Sequence, residues 1–431
     1  MTGRVLISLV VLMSLPHGAA ADDWPQWRGP QRDGVWRESG IIKKFPKPQL
    51  DHVWRTPIGS GYSGPTVAQN RVYVTDRVVE PKQVERVHCF DAATGQNLWT
   101  YTYDCPYRDV SYEAGPRASV TVHDGRAYAL GTMGHLHCFD AASGDVLWKK
   151  DTRERYKFEM PVWGIAAAPL VEGDLVIVQI GGRPDACLVA FDRKTGEERW
   201  KSFDDGASYS APIVVDQAGK RVLVCYTAKN IVGLDPQTGK VYWSHPFPPK
   251  RMVIGIASPV LYRDYLFFTN FFDGALLLRM DQKELRVTEV WNRAGPSEKD
   301  TDAIQSIIST PLLKGDYIYG VDSYGELRCL ELATGNRVWE SLDAVPKARW
   351  STIHFVPNGD NVWMFNERGE LIISKLSPSG FEEISRAKLI EPTTNQLPRR
   401  GGVTWAHPAF AYKRVFARND KELVCADLAA K

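Results

Sequence analysis

Seven cysteines and nine histidines are the residues of this 431-residue chain best suited to hold a metal or act as nucleophiles. His88-Cys89 and His137-Cys138 set the two types side by side, as a metal site would need. Consecutive strand residues point to opposite faces, however, so such a pair is no chelate. Cys89, Cys138, Cys329 and Cys425 each stand just before a turn in equivalent strand positions, which reads as small buried apolar filling. An odd cysteine number leaves at least one thiol free in an oxidising compartment. No C-x-x-C-H, adjacent cysteine pair, P-loop, Rossmann glycine fingerprint, HExxH or G-x-S-x-G occurs. The reactive types thus have no pattern that does bond-making chemistry. A second set does have a pattern: Tyr62, Glu113, Arg117, Trp163, Tyr209, Gln305, Arg349, Trp350, Arg400 and Trp405 recur at intervals, each shortly before a short apolar segment. Arg, Trp and Tyr dominate binding hot spots, so the chemistry this set offers is recognition.

The elements that must position these residues are repeats. Cys138-Phe-Asp-Ala-Ala-Ser-Gly-Asp-Val-Leu-Trp148 recurs as Cys89 to Trp99, Ala190 to Trp200, Gly233 to Trp243 and Cys329 to Trp339, and in degenerate form ending on Trp291. The acidic residue stands eight positions before the Trp in each of the five intact copies, and successive Trp residues are 43 to 52 apart. That period is what a propeller blade of four short strands requires. Within the motif, Asp91, Asp140, Asp192 and Asp235 open a turn by bonding the backbone two residues on. Gly95, Gly144, Gly196, Gly239 and Gly335 supply the positive φ of the return. Trp99, Trp148, Trp200, Trp243 and Trp339 offer a flat apolar surface with one N–H donor, suited to lie between blades. Each of these residues is spoken for structurally.

Ahead of each motif a strand, a turn and a strand are legible, with pivots such as His123-Asp-Gly125 and Lys314-Gly-Asp316. Many first strands carry small residues and Pro, as in Ser63-Gly-Pro65, Ala167-Ala-Pro169 and Ser210-Ala-Pro212. Such residues suit innermost strands, which converge on the axis and tolerate Pro on a free edge. Seven units begin near Gly64, Arg117, Ala166, Ser210, Ala257, Ser309 and Ser351. An eighth, from Thr404, has three strands before the chain ends, and upstream His52-Val-Trp-Arg-Thr-Pro-Ile58 is an orphan outer strand. One orphan and one vacancy predict an all-β, eight-bladed β-propeller of four-stranded antiparallel blades, closed by the N-terminal strand, which removes the exposed edges of an open array.

The pattern D-x-x-[TS]-G-x-x-x-W after a short apolar strand resembles the repeat of quinoprotein-dehydrogenase-like propellers over roughly residues 52 to 431. That superfamily holds dehydrogenases using pyrroloquinoline quinone (PQQ) and a cofactor-free lipoprotein of outer-membrane barrel assembly, so the resemblance specifies fold rather than activity. In the dehydrogenases it implies PQQ on the axis, beside adjacent bonded cysteines and a calcium ion. Here no adjacent cysteines exist, and the base and calcium ligands cannot be aligned.

Residues 1 to 21 read as a secretory signal: Arg4, an apolar run from Val5 to Leu15, and Ala19 and Ala21 before Asp22. The run is too short to span a membrane, and no second span follows. Residues 22 to 51, with Trp24, Trp27 and Trp36, form a Trp/Pro/Gly-rich leader expected to pack on the propeller. A formal net charge of +2 argues against bulk capture of nucleic acid, and Arg399-Arg400 is only a pair. The sequence therefore predicts an exported, periplasmic or secreted, non-catalytic scaffold without metal or cofactor. Its ten mouth residues would bind an envelope protein or a small ligand. A PQQ- and calcium-dependent alcohol or sugar oxidoreductase is the alternative.

Overall fold

The computed structural model describes residues 22–398 and 400–431; the signal segment lies outside them. Eight antiparallel sheets of four strands succeed one another round an axis. In blade 1 the strands Thr66–Ala68, Arg71–Val78, Val84–Asp91 and Asn97–Asp104 run outward in chain order. Blades 2 to 7 repeat this order, their inner strands being Thr121–His123, Leu170–Glu172, Ile213–Gln217, Val260–Tyr262, Leu312–Lys314 and Ile353–Asn358. Blade 8 takes Ala409–Ala411, Arg414–Arg418 and Glu422–Asp427 from the C-terminus and its outer strand, His52–Pro57, from the N-terminus. Trp54 pairs with Cys425 and Arg55 with Val424, so the orphan strand fills the vacancy as expected. Among the described residues no helix is long and apolar enough to cross a membrane.

The repeat motif builds the seams between blades. Asp140 Oδ1 accepts from the backbone N–H groups of Ala142 and Ser143, both at 2.9 Å, and the same Asx turn recurs at Asp91, Asp192 and Asp235. This turn leaves the carbonyl of the next residue free, and the Trp of the preceding blade takes it. Trp54 donates to Ala92 O, Trp99 to Ala141 O, Trp148 to Arg193 O, Trp200 to Pro236 O and Trp291 to Leu332 O, at 2.9–3.2 Å. The indole then lies flat on the motif glycine. A Cβ on Gly144, whose φ is +80°, would stand 2.6 Å from the Trp99 ring. Glycine is thus required here both for its dihedral and for its missing side chain. Trp243 meets blade 5, whose turn lacks that glycine. Its N–H goes instead to Gln217 Oε1 at 2.9 Å, and Gln217 relays to Arg286 O.

The leader lies across the hairpin end of the ring. Trp24 exchanges two 2.8 Å hydrogen bonds with Val67 on the inner edge of blade 1, and Val122 of blade 2 donates to Pro25 O. Arg32 donates to Ala168 O and Pro169 O of blade 3. The chain then crosses to blades 7 and 8: Trp36 N donates to Pro357 O, Ile42 N to Leu428 O and Leu50 N to Lys388 O.

Candidate functional site

Inner strands bring one residue each to the axis at equivalent positions, immediately before the Pro or its counterpart. These are Gly64, Ser119, Ala168, Ala211, Ser258, Thr310, His354 and His407. Six are small because eight strands converge there and leave little room. The two imidazoles fit because their neighbours yield. A Cβ on Gly64 would stand 2.4 Å from His407 Nε2. His354 sets its Nε2 2.8 Å from Trp405 O, so that nitrogen carries the proton; His407 Nε2 lies 2.8 Å from Ser119 Oγ. Burial pushes both imidazoles down, His354 to about 4 and His407 to about 3, so both are neutral at pH 7.

Above this ring opens a cavity of about 130 Å³ to which all eight blades and the leader contribute. Its upper wall is aromatic. Tyr62 stacks on Trp405 at 6.5 Å between centroids, and Tyr112 presents an edge contact to both Trp163 (5.9 Å) and Trp350 (5.8 Å). Trp163 packs on Tyr209 at 5.1 Å and donates its backbone N–H to the Tyr209 hydroxyl. Burial holds that phenol up at about 12, so it stays protonated. Ile256, Ile307 and Ile308 complete the wall, and Trp27 of the leader enters from the hairpin end as the floor. Its Nε1 donates to Ser258 Oγ at 2.8 Å, and its ring meets His407 edge-on at 4.3 Å. Arg117 sits 4.9 Å over Tyr62, its guanidinium donating to the carbonyls of Ser111, Tyr112 and Gly115 and to Thr132 Oγ1.

Of the ten expected mouth residues the structure brings six together on the cavity: Tyr62, Arg117, Trp163, Tyr209, Trp350 and Trp405. The other four lie behind or beside it. Glu113 is exposed, with its carboxylate 3.6 Å from Arg77. Gln305 is fully buried, donating to Phe271 O and accepting from Gly295 N, so it ties two blades together. Arg349 pairs with Glu298, and its guanidinium lies 4.4 Å from the centroid of the Trp350 ring. Arg400 pairs with Glu367, which also accepts from Trp405 Nε1, and so braces the wall from behind. Sequence reasoning did not single out Tyr112, Ser119, His354 or His407. The two histidines had a signal: each stands where other inner strands carry a small residue. Tyr112 had none, since it sits in an irregular connection at φ +57°.

The motif residues lie in the seams, away from the cavity, and all seven cysteines are buried and unpaired. His88 Nε2 lies 3.0 Å from Asp76, on the face opposite Cys89. Among the described residues no three His, Cys, Asp or Glu are grouped to hold a metal ion.

The family model described as outer membrane protein assembly factor BamB matches residues 38–108 and 83–341. A protein of that description from Shewanella oneidensis is 25% identical over 162 residues, a match spanning 37% of this chain and 40% of the relative's length. BamB from Moraxella catarrhalis superposes with a TM-score of 0.58 at 17% identity, covering 88% of this chain and 97% of that one. The quinohemoprotein alcohol dehydrogenase from Comamonas testosteroni superposes with a TM-score of 0.64 at 15% identity, covering 95% and 81%. At those identities the likeness is one of fold.

Proposed function

We propose, from the premise that this chain belongs to the BamB family, that it is an exported, non-catalytic scaffold of the cell envelope. In this reading it assists the assembly of outer-membrane proteins by binding partner proteins at the axial mouth. The observation that carries the reading is the make-up of that mouth. It is a packed ring of Tyr and Trp around an apolar cavity, in which Tyr62, Tyr112, Trp163 and Trp350 are partly exposed while Tyr209 and Trp405 are buried, with one guanidinium at its edge. Partly exposed aromatics held in place by packing gain affinity on burial with little ordering cost, which suits a protein interface. The same lining suits catalysis poorly. Its two imidazoles are neutral and already hydrogen-bonded, and no carboxylate stands beside them among the described residues.

The PQQ–calcium alternative meets the same obstacle. Calcium takes six to eight oxygen ligands, mainly from carboxylates and carbonyl groups. Among the described residues the lining offers no Asp, Glu, Asn or Gln, so it does not fit a calcium-held cofactor.

The test is genetic and biochemical. Deleting the gene in its own cell should lower the amount of folded outer-membrane proteins. The full chain should restore it, and a chain carrying Trp163→Ala and Tyr62→Ala should not. Unchanged outer-membrane protein levels on deletion would overturn the reading. Reduction of a dye with alcohols or aldoses by the purified chain, given calcium and PQQ, would replace it with the oxidoreductase.

A further inference from the structure

The inner strand of every blade turns one edge to the axis, and the backbone groups on that edge need partners. The residue three positions after each axial residue makes a non-hydrogen-bonded pair with the next strand, so its N–H and C=O face the axis. The leader fills this register in some blades. Val67 of blade 1 exchanges two hydrogen bonds with Trp24, Val122 of blade 2 donates to Pro25 O, and Pro357 O of blade 7 accepts from Trp36 N. Phe410 of blade 8 lies beneath the Trp24 and Trp36 rings. Elsewhere the leader stands off. Among the described residues the axis-facing groups of Val171, Val214, Leu261 and Leu313 in blades 3 to 6 meet no partner. Exposure follows the same division, for Val67 is fully buried and Leu261 is 42% exposed.

Val171, Val214 and Leu261 line one groove of about 610 Å³, between the inner edges of blades 3 to 5 and the leader. That volume is typical of a ligand pocket. The groove shares no lining residue with the axial cavity. Charge narrows what it can hold. Asp33 in its wall is bonded to Arg37, and Glu172 to Arg221 at 2.9 Å. Asp216, at its rim, also pairs with Arg221. Arg28 and Arg32 line the groove with no carboxylate bonded to either. Arg28 donates to the carbonyls of Arg32 and Asp33, and Arg32 to those of Ala168 and Pro169 and to Gln26 Oε1. Burial, offset only in part by Asp33, pulls Arg28 down to about 10, and burial pulls Arg32 to about 9. Both stay charged at neutral pH.

We propose that this groove binds an extended, acidic peptide segment of a partner protein, which adds a strand to the inner edge of blade 4 as Trp24 does to blade 1. Val214 exchanges its N–H and C=O with one peptide residue, and a neighbouring Asp or Glu of the peptide answers Arg28. The groove opens at the hairpin end rather than at the aromatic mouth, so its failure would leave the scaffold reading standing, and the reverse.

The probe is the capped peptide acetyl-Thr-Val-Glu-Val-Thr-amide, with a Lys-centred analogue as control, titrated into the full chain by calorimetry at low salt. The Glu peptide should bind one per chain, about tenfold tighter than the Lys analogue, the worth of one hydrogen bond to a charged group. Arg28→Gln should erase that preference, and Arg28→Lys should keep it. Val214→Pro removes one axis-facing donor without touching the ladder to Leu223, and blade 7 already carries Pro357 at this register. It should weaken both peptides about fivefold. Hydrogen exchange needs no variant. The Val214 amide should exchange faster than that of Val67 in the free chain, and should slow when the Glu peptide is added. Melting curves establish folding, and each variant decides independently if the other does not fold. Absence of saturable Glu-peptide binding, equal binding of the two peptides, or an affinity unchanged in Val214→Pro would overturn the proposal.

Discussion

The seam between blades 1 and 2 and the seam between blades 7 and 8 solve one problem with different parts of the chain. At the first, Trp99 of one blade lies on Gly144 of the next and donates to Ala141 O. At the second, blade 7 ends in Gly380–Lys388, which has no Trp to give. The leader fills the gap. Trp36, 1% exposed, packs on Trp363 of blade 7 at 5.4 Å and on Phe410 of blade 8 at 4.9 Å, and Phe45 adds a second contact to Trp363. His52 reaches across to Leu389 O at 2.7 Å. A ring needs every seam filled, because one open seam exposes two apolar sheet faces at once. The seam that lacks its local residue is filled from far away in sequence, and that ties the N-terminal segment to the closure of the fold.

Substitutions can break this comparison, beginning with the most severe. Deleting residues 52–58 removes the outer strand of blade 8 and Trp54 with it. The melting temperature should fall sharply, because pairing and burial on the order of several kcal/mol are lost. A deletion variant as stable as the parent would refute closure by the N-terminal strand.

Trp148→Ala and Trp36→Ala should each cost about 3–5 kcal/mol in chemical denaturation, since both side chains are buried in a seam. The comparison predicts that they differ in place rather than size. Hydrogen exchange should quicken in blades 2 and 3 for Trp148→Ala and in blades 7 and 8 for Trp36→Ala. If Trp36→Ala were silent, the leader would be decoration on a seam closed by other means. Trp339→Ala should cost less than Trp148→Ala, about 2 kcal/mol by the same scale. Trp339 is only half-buried, because its partner turn at Ser377 offers a carbonyl but no Asp-Gly platform.

Asp140→Ala should cost about 1 kcal/mol, since only turn hydrogen bonds at the surface are lost. Loss of a function with unchanged stability would show that the motif Asp does more than turn the chain.

A pH dependence sharpens blade 1. Burial opposes ionisation of Asp76, but hydrogen bonds from His88 and Arg86 outweigh it and hold its carboxyl well below the usual carboxylate range. A depressed folded-state value gives stability that is present above the ordinary carboxylate pKa and lost as pH falls below about 4. Asp76→Asn should therefore flatten the acid limb of stability measured between pH 5 and 2.

Local grammar carried most of the fold. The Asp, the Gly and the Trp of each motif act within a dozen residues or on the adjacent blade, so their spacing reveals the blade period, and the strand units with the orphan strand at the N-terminus give blade number and closure. The eight inner strands were legible for the same reason, as small residues and Pro recur wherever the axis crowds them. The cavity was legible in part. Tyr62, Arg117, Tyr209 and Trp405 stand at one shared position ahead of the axial residue and could be placed by register, whereas Gln305 and Arg349, at the position of Trp163, turn to neighbouring blades.

What the sequence determined by itself is the repeat, because a short-range hydrogen-bond pattern and a fixed period need no distant partner. What only the tertiary structure decided is which side chains reach the axis and what seals the last seam. Gln305 and Trp163 occupy like positions, but one finds Phe271 O and disappears into the wall while the other lines the cavity. Trp36 and Trp27 lie nine residues apart in one irregular segment, yet one fills a seam and the other floors the cavity. The outcomes at Trp36 and Trp27 depend on distances between residues more than two hundred positions apart, which acquire values only once the ring has closed.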